Sequence, residues 1–248
     1  MDFNLRRPRH ILALILLSLS FLLLIVASIF SFFQPFPTTS GIGNYTGITQ
    51  YFLEIYIVAF SLLLVFVLMV FVPMAWYILD NRLNTREILQ RLRLHRQDLT
   101  QAFLWGVIAA FVALIVSVAI DLVILRFGID TTKLSNIPQL LQLFPLPGLL
   151  ALITLQPIAE EIFFRGFLLE KISWFTGPTV GIIGSAILFG IAHLSYGVLY
   201  TAVMATGLGI VFGVVTVRTR SLYSSIFAHI LVNVTSMGLY LLGKSIGM

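Results

Sequence analysis

Three polar patterns lie inside apolar stretches of the chain: EExxxR at Glu160–Arg165, FxxxH at Phe189–His193 and HxxxN at His229–Asn233. An ionisable group costs roughly 2.5–3.5 kcal/mol near the centre of a membrane helix, so such groups read as functional by default. The chain has four histidines. Two of them, His10 and His95, belong at the membrane surface; His193 and His229 fall in the apolar stretches. On a helix Glu161 and Arg165 are i and i+4, so they share a face and can neutralise each other. Glu160 points about 100° away, without a partner on its own helix, which leaves its carboxylate for chemistry. Phe189 and His193 share a face in the same way, as do His229 and Asn233.

A glutamate with two histidines and an amide suits water activation. Glu160 takes a proton from water with help from His193, and His229 and Asn233 donate to the oxyanion of a tetrahedral intermediate. Glu160, His193 and His229 suit equally well Zn2+ or another divalent metal with an open fourth position. The residues leave that choice open. No HExxH helix occurs, and no serine stands at a nucleophile elbow. Cysteine is absent, which excludes disulfides and thiolate nucleophiles.

The elements that must carry these groups are set by composition. Of 248 residues, 59% are hydrophobic and 10% charged; a soluble domain carries about 25% charged residues. The reading is an all-α polytopic membrane protein, one transmembrane domain over 1–248. It is a bundle of about seven to eight helices around an intramembrane active-site cavity. Spans are expected near 11–33, 51–79, 103–125, 147–172, 178–196, 198–217 and 222–243, the 178–196 and 198–217 runs abutting at Tyr196–Gly197. Residues 1–140 hold the N-terminal spans and a basic connector at 80–100; 145–240 hold the polar patterns. The first apolar stretch is too long for a signal-peptide core and reads as a span.

With a cytoplasmic N-terminus, eleven Lys and Arg fall on the cytoplasmic side (Arg6, Arg7, Arg9; Arg82, Arg86, Arg91, Arg93, Arg96; Lys171; Arg218, Arg220). Only Arg126, Lys133 and Lys244 fall outside. The net charge of +5 is therefore a topology signal, not a nucleic-acid footprint. The connector Asp80–Thr100 reads as a helix on the anionic leaflet or as a solvated helical extension. The loop 34–50 reads as turns, with a glycosylation sequon at Asn44. Gly209 and Gly213 form a GxxxG step suited to close helix approach. A rise of about 1.5 Å per residue puts Glu160 and Asn233 about 17 Å, His229 about 11 Å and His193 about 22 Å from the cytoplasmic ends of their spans.

In this order, on successive apolar segments, the three motifs resemble the CPBP family: CAAX proteases and bacteriocin-processing proteins, also called abortive-infection or type II CAAX prenyl endopeptidases. The resemblance covers about residues 145–240 and implies an intramembrane endopeptidase. It assigns Glu160 and His193 to water activation, and His229 and Asn233 to the oxyanion, or to metal in an older reading. Glu161, Arg165 and Phe189 match the remaining motif positions. It further implies a membrane-associated protein or peptide substrate and the lipid bilayer as surroundings; the compact length and short loops point to a bacterial plasma membrane. It says nothing of oligomeric state. Two rival readings remain: a transporter or proton relay using the buried Glu and His residues, and a non-catalytic immunity or scaffold protein on the same fold.

Overall fold

In lipid the backbone must satisfy its own hydrogen bonds, so apolar runs of this length close as helices. The computed structural model describes residues 6–33, 48–94, 98–130 and 146–246. Among these residues there is no strand, and seven helices are long and apolar enough to cross a membrane. They are α1 (Pro8–Phe32), α2 (Ile55–Leu79, whose helix begins at Ile48), α4 (Leu99–Arg126), α5 (Leu146–Thr176), α6 (Pro178–Ser195, whose α-helical part is Pro178–Ala192), α7 (Leu199–Thr219) and α8 (Leu222–Ser245). A short helix, α3 (Thr85–Arg91), lies in the basic connector. The loop 34–47, with Asn44, and residues 131–145 lie outside the described residues.

α5 runs through the middle. At the motif, Phe163, Phe164 and Phe167 are almost wholly buried beside Glu161 and Arg165. They form one apolar cluster with Tyr77 of α2, Phe189 of α6 and Leu222 of α8. A second cluster joins α4, α7 and α8 through Ala109, Ala110, Ala113, Phe212 and Ala228. Small residues there let backbones approach, which is what drives helix association in lipid. The outer faces expose Phe30, Phe111, Leu122 and Val123, as a lipid-facing surface should.

Two sharp turns order the site helices. Gly177, with φ +86°, links α5 to α6. Gly197, with φ +73°, separates α6 from α7, so the two abutting runs are distinct spans. The left-handed region that both occupy favours glycine.

The connector does something neither sequence reading anticipated. Asn84 and Glu87 form a capping box that starts α3. Ile88 and Leu92 are then buried in the main core cluster, against Gly166 and Leu222. Arg91 pairs with Glu170 of α5 at 3.0 Å, and the Leu222 amide donates to the Arg93 carbonyl. The connector is an integral wedge, because its apolar residues recur at i and i+4 and find an apolar partner in the bundle.

Candidate active site

Glu160 and Glu161 are the last α-helical residues of α5 before a π-helical segment, Ile162–Leu168. Such π-turns recur at functional sites, because the extra residue re-aims neighbouring side chains. Glu160, Glu161 and Arg165 are all buried. Arg165 Nη1 donates to Glu161 Oε1 at 2.8 Å, the expected i and i+4 pair. The guanidinium also lies over the Phe189 ring, 4.2 Å from its centroid. Gly209 of α7 passes close by: a Cβ there would stand 2.9 Å from Arg165 Nη2.

Glu161 has a second task. Its Oε1 also accepts from His229 Nδ1 at 2.9 Å, from a residue 68 positions away on α8. The carboxylate therefore fixes the tautomer and orientation of His229 and turns Nε2 toward Glu160, whose Oε2 is 3.7 Å away. Phe212 packs against the same imidazole with ring centroids 5.0 Å apart.

Glu160 does have a partner on its own helix, contrary to the sequence reading. Gln156 Nε2 donates to Glu160 Oε1 at 2.7 Å. The signal was available as a further i and i+4 spacing. This bond occupies one carboxylate oxygen and leaves Oε2 to face His229.

His193 is the first residue of a 3-10 turn, His193–Tyr196, and caps the α-helical part of α6 rather than lying inside it. Its Nδ1 donates to the Phe189 carbonyl at 2.8 Å, which leaves Nε2 as an acceptor. Thr201 Oγ1 donates to the His193 carbonyl at 3.1 Å and holds the turn to α7. The turn packs against Ala27–Phe32 at the end of α1, away from the Arg-rich end of the bundle. Asn233 is half-buried one turn beyond His229 on α8 and makes no hydrogen bond to the other three groups among the described residues.

The donor chemistry suits a metal in part. Both histidines engage Nδ1, with the Phe189 carbonyl and with Glu161, a usual arrangement for metal-ligating imidazoles. Yet among the described residues no three His, Asp or Glu side chains are gathered to hold an ion.

Residues 142–235 match the family described as "Type II CAAX prenyl endopeptidase Rce1-like". These residues are similar to that family, over less than half of the chain. The matched segment contains all three motifs, from Glu160 to Asn233. A curated relative, the "Putative membrane peptidase YdiL" of Bacillus subtilis (strain 168), is 30% identical over 141 residues. The alignment covers 53% of this chain and 54% of the relative, so the chain spans about half the length of the curated protein it matches. No solved structure matches the chain.

Proposed function

We propose that this protein is an intramembrane endopeptidase that hydrolyses a peptide bond of a membrane-associated protein or peptide. The observation that carries the reading is the Gln156–Glu160···His229–Glu161–Arg165 relay buried in the bundle. Glu160 removes a proton from water through Oε2, and the resulting hydroxide equivalent attacks the scissile carbonyl. The proton then passes from Glu160 to the leaving amine. His193 Nε2 accepts a hydrogen bond from the same water and orients it. With Nδ1–H donated to Glu161, His229 presents Nε2 to the cavity. When neutral it accepts from water; when doubly protonated it donates to an oxyanion. The Asn233 amide supplies a further oxyanion donor.

The N-terminus and the connector face the cytoplasm in this proposal, with a bacterial plasma membrane as the setting. The first test uses a quenched fluorescent farnesylated CAAX peptide in detergent micelles. The wild-type protein should cleave it, and Glu160→Gln should lower kcat/KM by about a thousandfold, within the range for losing a general base. Turnover near wild type in Glu160→Gln would overturn the mechanism. A chelator should leave the rate unchanged; a loss restored by Zn2+ would instead make the metal reading correct. Ion flux in proteoliposomes without peptide cleavage would favour a transporter.

A further inference from the structure

At the Arg-rich end, the start of α1 meets the end of α2 and the first connector residues. His10 Nδ1 and Asp80 Oδ1 approach to 3.3 Å, with only 2% and 3% of their side chains exposed. Asn81 Nδ2 donates to Asp80 Oδ2 at 2.9 Å. This braced pair forms the floor of a cleft of about 400 Å³, which Arg7, Arg9 and Arg82 complete. One carboxylate, already matched, faces three guanidinium groups, so the cleft carries an excess of positive charge. Arg82 is held at φ +55°, a left-handed conformation that a non-glycine residue adopts at a cost. Arg7, the residue before α1, has no side-chain cap on the helix.

We infer that this cleft binds the phosphate of an anionic phospholipid headgroup. Guanidinium forks match phosphate oxygens, and basic pockets between membrane helices at the cytoplasmic face take anionic headgroups. The surface beside the cleft selects a lipid over a free phosphate ester. Just along α1, Ile11, Leu12 and Ile15 are exposed, as is Ile78 at the end of α2. Acyl chains descending from a headgroup in the cleft lie on that apolar face. None of the cleft residues belongs to the catalytic relay, so the inference stands apart from the protease reading.

The test is native mass spectrometry of the full-length protein in detergent, titrated with phosphatidylglycerol or with phosphatidylcholine of the same acyl chains. The wild-type protein should retain phosphatidylglycerol about tenfold more strongly. Arg82→Gly removes one cation and relaxes the left-handed backbone, so it should fold at least as well and lose about fivefold in retention. Arg7→Gln with Arg9→Gln added should bring retention down to the phosphatidylcholine level. Equal retention of both lipids by the wild type, or undiminished phosphatidylglycerol retention in Arg82→Gly, would overturn the inference. Displacement of phosphatidylglycerol by millimolar inorganic phosphate would make a soluble phosphate the occupant and overturn the lipid assignment.

Discussion

Gln156 donates from its side chain to Glu160, the carboxylate that the proposed mechanism uses as a base. Leucine has a similar volume and suits lipid, but it cannot hold Glu160 Oε1. Gln156→Leu should lower kcat by about 10- to 100-fold through loss of orientation. KM and the thermal midpoint should stay near wild type, which distinguishes positioning from structure. Glu161 serves both Arg165 and His229, so its loss should register in stability as well as activity. Glu161→Gln leaves the Arg165 charge uncompensated in a site with no exposure, at a cost of about 3–5 kcal/mol. The double variant Glu161→Gln/Arg165→Met should recover part of that in thermal unfolding, because no lone buried charge remains. A double variant no more stable than Glu161→Gln alone would show that Arg165 stabilises through its contact with Phe189 rather than through the ion pair.

At the scale of elements, the site depends on how closely α6 and α7 approach. A Cβ on Gly190 would stand 2.6 Å from the Ala202 carbonyl oxygen, a backbone atom that cannot move aside alone. Gly190→Ala should therefore sharply reduce the yield of monodisperse protein in detergent. Gly238 on α8 meets nothing within 4 Å of an added Cβ. Gly238→Ala should be neutral, or stabilising by up to about 1 kcal/mol through helix propensity. If both variants behave alike, the α6–α7 contact does not constrain the fold. α3 contributes by wedging Leu92 against Gly166, in the π-helical segment of α5. Leu92→Ala should cost about 2–5 kcal/mol, read as a lowered thermal midpoint.

The whole molecule has a polarity that one chemical property makes easy to measure: it contains no cysteine. Single cysteines at Arg86 in α3 and at Phe127 after α4 can each be probed with a membrane-impermeant maleimide. Phe127 is 77% exposed, so the reagent can reach it. In intact cells Phe127→Cys should label, and Arg86→Cys should label only after lysis. The reverse pattern would invert the orientation drawn from the basic residues.

The sequence by itself determined what chain chemistry enforces locally. Apolar length dictated the spans, since backbone groups in lipid close on themselves whatever surrounds them. Helical periodicity dictated which side chains share a face, and so the Glu161–Arg165 pair and the Phe189–His193 contact. The Gln156–Glu160 bond was legible on the same grounds. Only the tertiary structure decided what depends on where helices meet. His229 binds Glu161 across 68 residues, and Ile88 and Leu92 enter the core. His193 sits in a 3-10 turn because α6 ends against α1 and α7. Periodicity fixes an angle around one helix axis. It carries no information on the depth and rotation of a second helix, which packing alone sets.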